Sequence, residues 1–354
     1  MEILIIGAGN IGTAIAHLLQ NHADYKVVLA DRIFSHALDK KIKTETCDVN
    51  DDAAFTALLK SHSFSAVISS LPYHANVMIA KKAREYNLHY FDLTEDVKTT
   101  AAILEISKGA KTVFIPQCGL APGFINIAAH HLMQGYDEID SVLLRVGALP
   151  QFPNNALQYA LTWSTDGLIN EYGNPCEAIV DGQYTIVEPL DHLENIIIDG
   201  VAYEAFNTSG GLSTMWKSCI GKVKNLNYKT LRYPGHCEKI KFLMNDLKLN
   251  KHRDILKTIF EDAIPKTQQD VVVVYVSLIG KKNNKISEVS YAKQLYPAKL
   301  DKKLFTAIQL STASGICAVA DLVLTKQYDL HGFVTQEQFA FQDVIDNRFG
   351  HYYA

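Results

Sequence analysis

The chain has 354 residues, 48% hydrophobic and 20% charged residues and a formal net charge of -4, values typical of an ordinary globular protein. Single hydrophobic cores stop growing beyond about 250–300 residues, so this length predicts two domains. The slightly acidic balance leaves no surplus positive charge to neutralise phosphates, which excludes a nucleic-acid partner. No stretch approaches the ~20 apolar residues of a membrane span, so we expect no membrane partner. The apolar N-terminus predicts a core strand rather than a cleaved signal peptide.

The cysteines form neither a metal-binding nor a disulfide pattern. No pair has Cys-x-x-Cys spacing, and no His, Cys and carboxylate set has zinc spacing. We therefore expect free thiols in a cytoplasmic protein and no metal site. The six positions are Cys47, Cys118, Cys176, Cys219, Cys237 and Cys317.

The N-terminal segment carries the strongest signal. A predicted strand runs into Gly7-Ala8-Gly9-Asn10-Ile11-Gly12, and apolar periodicity over 13–19 then predicts a helix. In a dinucleotide site the first glycine allows a tight turn, the second lets the pyrophosphate approach the backbone, and the third allows close helix packing. The free N–H groups at the helix start face the phosphates. The alternative is a glycine turn in a fold that binds no nucleotide.

An acidic residue follows the second predicted strand, which covers residues 26–30. Asp31 stands where a carboxylate accepts hydrogen bonds from both ribose hydroxyls, so we predict NAD in preference to NADP. Arg32 keeps NADP open, because its guanidinium would pair with a 2′-phosphate.

Strands and helices continue to alternate up to residue 116. Strands are predicted at 66–72, 89–93 and 112–116, and helical spacing occurs at 55–59, 76–86 and 101–108. This alternation predicts a Rossmann-type doubly wound parallel sheet with helices on both faces, in an α/β domain of residues 1–125. Ligands bind beyond the carboxyl ends of such strands. The predicted cofactor-binding residues are Gly7, Gly9, Asn10, Ile11, Gly12, Asp31, Arg32, Asp48, Ser69, Ser70, Leu71, Cys118 and Gly119.

The pattern changes near residue 139. Turns rather than regular helices separate the later strands, which indicates a mixed or antiparallel sheet in a second, α+β domain of residues 126–302. Helices are predicted at 237–247 and 254–263. A long helix over 303–324, rich in small residues, predicts that residues 303–354 pack back on the first domain. The predicted strands are 141–148, the isoleucine run that begins at Ile196, 202–206, 226–233, 270–278 and its hairpin partner 285–296.

Four motifs in a fixed order suggest a family. After the glycine turn come Gln117-Cys-Gly-Leu-Ala-Pro-Gly-Phe-Ile-Asn126, Asn207-Thr-Ser-Gly-Gly211 and Tyr228-Lys-Thr-Leu-Arg-Tyr-Pro-Gly-His236. The chain resembles the saccharopine dehydrogenase-like family, most closely lysine 6-dehydrogenases and saccharopine reductases. The resemblance implies a two-domain, usually dimeric enzyme that moves a hydride between a nicotinamide and an amine or imine carbon of an amino acid.

The resemblance leaves the substrate open. Carboxynorspermidine-forming enzymes, which join an amine to an aldehyde reductively, share these features. The segment Asp92-Leu-Thr-Glu-Asp96 also lacks the Asp-Leu-Gly-Gly-His run of lysine 6-dehydrogenases. A nucleotide-binding regulator that keeps the fold without turnover is an alternative of a different class.

Oxidation of a C–N bond needs a group that holds the substrate carboxylate and a group that relays a proton. Arg232 is the predicted carboxylate clamp, because a guanidinium forms two parallel bonds to a carboxylate; a structural ion pair is the alternative. His236 is the predicted proton relay, given its near-neutral ordinary pKa, with a structural histidine as the alternative. Lys229 flanks Arg232 and completes the predicted catalytic set.

Two further segments are candidates for substrate binding. Thr208, Ser209 and Gly210 offer hydroxyls and backbone N–H groups to a carboxylate or to the nicotinamide amide, unless they only form a hairpin turn. Glu95 follows a strand end and is predicted to bind a substrate ammonium, with an exposed acidic turn as the alternative.

Overall fold

The computed structural model describes residues 1–34, 41–300 and 303–354. The chain divides into two compact units: Met1–Phe124 with Gln309–Ala354 form the first, and Ile125–Ile308 the second.

The first unit is built on a parallel sheet whose seven strands lie in the order β17-β6-β5-β4-β1-β2-β3 in the described part of the chain, with β17 at Gly332–Phe333. From β3 to β6 this is the doubly wound order 3-2-1-4-5-6, in which nucleotides bind where the order reverses, between β1 and β4. The predicted Rossmann-type fold is therefore confirmed. The other strands are β1 Glu2–Ile6, β2 Lys26–Asp31, β3 Lys43–Thr46, β4 Phe64–Ser69, β5 His89–Asp92 and β6 Val113–Ile115.

The apolar sequence of the central strands explains why they form a buried parallel sheet. β1, β2 and β4 are nearly continuous apolar segments because helices cover both of their faces, and Ile3, Leu4 and Ile5 are completely buried. The helices that follow the strands begin and end close to the predicted limits. They are α1 Asn10–Gln20, α2 Asp52–Ser61, α3 Tyr73–Glu85 and α4 Val97–Ser107, with α10 Ala307–Leu324 and α11 Phe341–Asp346 late in the chain.

The second unit contains a mixed sheet in the order β10-β11-β12-β7-β13-β14, in which β12 and β7 are parallel and the other neighbours antiparallel. The mixed sheet was predicted, but the hairpin of β8 and β9 was not. The strands of this unit are β7 Glu138–Pro150, β8 Cys176–Val180, β9 Gln183–Val187, β10 Glu194–Ile198, β11 Val201–Asn207, β12 Val223–Arg232, β13 Asp270–Lys282 and β14 Lys285–Leu295, with β15 Ala298–Leu300 and β16 Lys303–Phe305 in a separate two-stranded sheet.

Helices pack on the face of this sheet that carries Phe206. Leu256 and Phe260 lie on helix α9, which spans Arg253–Ala263, and form a buried cluster with Leu168, Tyr172 and Phe206. The predicted helix over 237–247 is α8 continued by a π-helical turn at Phe242–Asp246. The helices of this part of the chain are α5 Phe124–Met133, α6 Thr165–Gly173, α7 Met215–Cys219, α8 His236–Lys241 and α9 Arg253–Ala263.

The predicted long helix starts later than residue 303. Lys303–Phe305 is strand β16, paired with β15, and α10 begins at Ala307. The Asp270 carboxylate caps the helix by accepting hydrogen bonds from the N–H groups of Ala307 at 2.7 Å and Ile308 at 3.0 Å. Because this cap comes from β13, no local sequence signal marks the start.

α10 also corrects the expectation that no segment approaches a membrane span. By length and composition its 18 residues could cross a membrane, but 89% of them are buried inside the protein. Core packing therefore accounts for its apolar composition. Its small residues permit close approach: a Cβ added to Gly315 would lie 2.4 Å from the Gly119 carbonyl oxygen.

Candidate functional site

The three glycines of the N-terminal turn differ in what surrounds them. Gly7 has a φ of +105°, and a Cβ there would lie 2.6 Å from Ser70 Oγ. A Cβ on Gly12 would lie only 1.8 Å from the Gly7 carbonyl oxygen, whereas a Cβ on Gly9 would meet no described atom within 4 Å. Packing alone therefore requires glycine at 7 and 12. The space at Gly9 is open, as it must be where a pyrophosphate approaches the backbone.

The start of α1 is suited to bind an anion. Gly9 is its N-cap and provides no side-chain cap, and Gly9 and Asn10 are exposed, with Ile11 half-buried. The first N–H groups of a helix have no intrahelical partner, and the helix dipole places positive potential there. This end therefore fits the phosphates of a dinucleotide.

Asp31 both supports the glycine turn and lies on its rim. Its Oδ2 accepts a hydrogen bond from the Ala8 N–H at 2.6 Å, and its Oδ1 accepts one from the Ile33 N–H at 3.3 Å. Among the described residues, Arg32 makes an exposed 3.9 Å ion pair with Asp48, a type that contributes little stability. The carboxylate is thus fixed and the guanidinium loosely held. Residues 35–40, which follow, lie outside the described part.

The two serines at the end of β4, Ser69 and Ser70, make hydrogen bonds within the protein. The buried Ser69 hydroxyl donates to Asn76 Oδ1 at 2.7 Å. Ser70 Oγ donates to the Gly7 carbonyl at 2.9 Å and so ties β4 to the glycine turn. Leu71 is half-buried, and its Cδ2 would lie 3.2 Å from a Cβ on Gly7. These predicted cofactor residues therefore support the conformation of the glycine turn.

Asp92, which was not among the predicted site residues, anchors the next loop. Its Oδ1 accepts hydrogen bonds from the N–H groups of Thr94 at 2.9 Å and Gln117 at 3.1 Å, and Tyr90 donates to Oδ2 at 2.6 Å. Its backbone carbonyl accepts the Cys118 N–H at 2.9 Å. Burial raises the pKa of Asp92 to about 6, against the opposing effect of these hydrogen bonds.

Cys118 and Gly119 are thereby held in a compact turn. The Gly119 N–H donates to the Pro122 carbonyl at 3.0 Å, and the Gly119 carbonyl accepts the Phe124 N–H at 2.9 Å. Burial raises the pKa of the Cys118 thiol well above its usual range, so this thiol stays protonated at neutral pH.

Glu95 lies beyond the same strand end and remains a candidate for binding a substrate ammonium. Its side chain is partly exposed. Burial, and to a smaller extent the charges of Asp96 and Asp92, raise its pKa to about 7. Asp96 instead caps α4 through the Thr99 N–H at 2.6 Å.

In the second unit, β12 separates the predicted catalytic residues. Lys229 Nζ donates to Glu194 Oε2 at 2.7 Å and to the His192 carbonyl at 2.6 Å, and Glu194 also accepts from the buried Arg145 at 2.5 Å. Burial lowers the pKa of Lys229 more than Glu194 raises it. Successive side chains point to opposite faces of a strand, so Lys229 and Arg232 lie on opposite faces. The prediction that they form one catalytic set is corrected accordingly.

Arg232 lies in an aromatic environment and is only 2% exposed. Its Nε donates to the Tyr172 hydroxyl at 2.8 Å, and its Nη1 donates to the Leu231 carbonyl at 2.9 Å. Its Cζ lies 4.8 Å from the ring centroid of Tyr159 and 5.6 Å from that of Tyr172. The guanidinium is therefore fixed by hydrogen bonds and by cation–π contacts.

His236 completes this network as a neutral imidazole. Its Nδ1 lies 2.8 Å from the Leu157 carbonyl, and because a carbonyl only accepts, Nδ1 carries the hydrogen. Its Nε2 then accepts from the Tyr172 hydroxyl at 3.0 Å. Burial, followed by the charge of Arg232, lowers the pKa of His236 to about 3. Both ring nitrogens are committed, so the predicted proton relay is corrected to a role in positioning Arg232 through Tyr172.

Glu204 binds the backbone on both sides of His236, and sequence reasoning missed it. Its carboxylate accepts hydrogen bonds from the N–H groups of Gly235 at 2.7 Å and Cys237 at 2.5 Å. These N–H groups start α8, whose N-cap Gly235 has no side chain to cap them. Neither Glu204 nor Tyr172 stands in a local pattern that would have identified it.

The Thr208–Gly210 turn uses its hydroxyls internally. Thr208 Oγ1 lies 2.7 Å from Thr230 Oγ1, and Ser209 Oγ donates to the Asn170 carbonyl at 3.0 Å. Gly210 has a φ of +91°, which favours glycine. The turn connects α6 to β11 and β12 by hydrogen bonds. The hydroxyls of Thr208 and Ser209, which were predicted to bind substrate, are therefore engaged within the protein. Among the described residues, no group of three His, Cys, Asp or Glu side chains could hold a metal ion.

The order of the parallel strands, the open glycine turn and the start of α1 without a side-chain cap define a Rossmann-type dinucleotide-binding protein with a second α+β unit. The saccharopine dehydrogenase NADP binding domain model matches residues 3–113, and the saccharopine dehydrogenase C-terminal domain model matches residues 119–349. The chain belongs to the saccharopine dehydrogenase family, and the predicted resemblance is confirmed.

Relatives of known identity agree with this assignment. Saccharopine dehydrogenase [NADP(+), L-glutamate-forming] of Schizosaccharomyces pombe is 24% identical over 259 residues, which cover 69% of this chain and 57% of that protein. The Pyricularia oryzae protein of the same name is 26% identical over 262 residues, with the same coverage. The chain thus spans little more than half the length of these relatives.

Solved structures show the same fold. Apo saccharopine dehydrogenase (L-Glu forming) from Saccharomyces cerevisiae superposes with a TM-score of 0.79 at 17% identity, over 98% of this chain and 96% of that chain. A homospermidine synthase from Legionella pneumophila in complex with NAD gives a TM-score of 0.68 at 11% identity, over 99% and 89%. At these identities the likeness concerns the fold alone.

Proposed function

We propose that this protein is an NAD(P)-dependent dehydrogenase that acts on the C–N bond of an amino acid. The open backbone at Gly9 carries the proposal, because it lies at the start of a helix without a side-chain cap, where a pyrophosphate would bind. The family models that match both units support the same reaction class.

The residues of the chain divide the work of such a reaction. The nicotinamide, when bound, accepts or donates the hydride. The first turn of α1 binds the pyrophosphate, and the Asp31 carboxylate accepts hydrogen bonds from the ribose. Arg232, oriented by Tyr172, binds a substrate carboxylate. Glu95 binds the substrate ammonium.

For the cofactor we propose NAD in preference to NADP. The Asp31 carboxylate is held in place by the Ala8 N–H, so it cannot easily move away from a 2′-phosphate, and like charges in contact disfavour binding. Arg32, together with the NADP named in the matching family model and in the relatives, favours the alternative, NADP.

For the substrate we propose lysine or saccharopine. The experiment combines purified protein, NAD or NADP, and a panel of L-lysine, L-saccharopine and carboxynorspermidine, followed at the nicotinamide absorbance. We expect turnover of lysine or saccharopine. Turnover of carboxynorspermidine alone would favour the reductive condensing type. Cofactor binding without any turnover would favour a regulator.

We further propose a cytoplasmic homodimer. All six cysteines are free and buried, which suits a reducing compartment. Ile197 of β10 and Ile286 of β14 are 73% and 79% exposed, and exposed apolar side chains on edge strands favour association. Light scattering should give twice the chain mass, and Ile197→Glu or Ile286→Glu should reduce it. A monomeric wild type would refute the dimer, and cell fractionation tests the compartment.

A further inference from the structure

Two buried hydroxyls in the second unit lack a hydrogen-bond partner among the described residues. They are Tyr159 OH and Thr162 Oγ1, on side chains that are 0% and 9% exposed. Leaving a buried polar group unpaired costs about 1–3 kcal/mol, so most buried hydroxyls in proteins are paired. Two such hydroxyls, three residues apart in sequence, indicate a binding site for a polar group of a ligand.

A guanidinium lies over the ring of Tyr159. The Arg232 Cζ lies 4.8 Å from the centroid of the Tyr159 ring. Arg232 uses Nε for Tyr172 and Nη1 for Leu231, and the N–H groups of its Nη2 are further donors. The guanidinium also interacts electrostatically with Glu171.

The hydroxyls lie near each other and remain protonated. Thr162 and Trp163 are close enough to the Tyr159 hydroxyl to lower its pKa, although neither reaches it with hydrogen-bond geometry. Burial is the larger effect and raises the pKa of Tyr159 above its usual value. Both hydroxyls are therefore available as donors.

We propose that Tyr159 OH, Thr162 Oγ1 and Arg232 Nη2 together bind one carboxylate of the substrate. This inference rests on the proposed function and adds the two hydroxyls to it. All three groups can donate, and an ionised carboxylate only accepts. The positive charge of Arg232 excludes an ammonium group from the same position. A carboxylate therefore matches both the donor set and the charge, and the rings of Tyr159 and Tyr172 restrict the guanidinium to one orientation.

The test uses Tyr159→Phe and Thr162→Val, each of which removes one hydroxyl and little else. Without ligand, no hydrogen bond is lost, so the melting temperature should stay unchanged or rise. Tyr136→Phe is the matched control: the Tyr136 hydroxyl lies 2.8 Å from Ser287 Oγ, so its removal should lower the melting temperature and leave ligand binding unchanged.

Binding is measured by calorimetry with L-lysine, L-saccharopine and L-glutamate, and with cadaverine, which is lysine without its carboxylate. We expect Tyr159→Phe and Thr162→Val each to weaken the carboxylate ligand by about tenfold, the equivalent of one hydrogen bond to a charged group. Cadaverine binding should not change.

The outcomes separate the two proposals. A lower melting temperature in ligand-free Tyr159→Phe and Thr162→Val would mean that the hydroxyls have protein partners, and the inference would fail. Equal ligand affinity in wild type and both variants would also overturn it, while leaving the dehydrogenase proposal intact. A wild type that turns over and binds none of the panel would overturn both.

Discussion

Among the described residues, the hydroxyl of Tyr172 joins Arg232 to His236 by hydrogen bonds, so Tyr172→Phe tests the network most directly. The hydroxyl accepts from Arg232 Nε at 2.8 Å and donates to His236 Nε2 at 3.0 Å. All three side chains are almost fully buried, so water cannot readily replace the lost oxygen.

The magnitude follows from the two groups left unpaired. A buried neutral acceptor without a partner costs about 1–3 kcal/mol, and a charged donor costs more. For Tyr172→Phe we therefore expect the free energy of unfolding of the second unit to fall by about 3–5 kcal/mol. His236 cannot relieve this by taking a proton, because burial and the charge of Arg232 keep its pKa near 3.

The assay is urea unfolding followed by tryptophan fluorescence. Both tryptophans, Trp163 and Trp216, lie in the second unit, so the signal reports that unit. The control is Tyr184→Phe, whose half-exposed hydroxyl donates to Glu177 at 3.3 Å; it should cost less than about 1 kcal/mol. Equal unfolding midpoints and slopes for Tyr172→Phe and wild type would refute the bridging role.

Five further substitutions test the remaining features. Gly9→Val should abolish NADH binding in a fluorescence titration while the protein still folds, whereas Gly12→Ala should destabilise the first unit, because its Cβ would lie 1.8 Å from the Gly7 carbonyl. Asp31→Ser should raise kcat/KM with NADP relative to NAD by about tenfold; an unchanged ratio would remove Asp31 from the ribose site. Arg232→Lys keeps the positive charge but loses the two parallel N–H donors of the guanidinium, so the KM for substrate should rise about ten- to a hundredfold. A normal KM with a lower melting temperature would show that Arg232 has only a structural role. Because the pKa of Asp92 is raised to about 6, wild-type stability should fall as pH rises from about 4 to 6, by roughly 3 kcal/mol relative to Asp92→Asn; parallel pH profiles would contradict this.

The first unit was predictable because its signals are local. The glycine turn, Asp31 and the apolar strands all follow from the periodicity and spacing of adjacent residues. The start of α10 was not predictable, because its cap is Asp270, 37 positions away in sequence from Ala307. Likewise, the Leu157 carbonyl that sets the tautomer of His236 is a backbone group with no sequence signature.

One part of the site could have been predicted and was not. Residues three apart in a strand lie on opposite faces, so the strand prediction for 226–233 already separated Lys229 from Arg232. The shared motif suggested a common role, yet the alternation of the strand decides which side chains can meet.

The Tyr228–His236 motif is best understood as a support for one guanidinium. On one face of β12, Thr230 bonds to Thr208, and Arg232 is held by Tyr172. On the other face, Lys229 binds Glu194 at the start of β10. The hydrogen bonds run from Arg232 through Tyr172 to His236 and end on a carbonyl, so no titrating group interrupts them near neutral pH. A network with this direction fixes a charge and does not transfer a proton, which places the proton chemistry of the proposed reaction outside the motif.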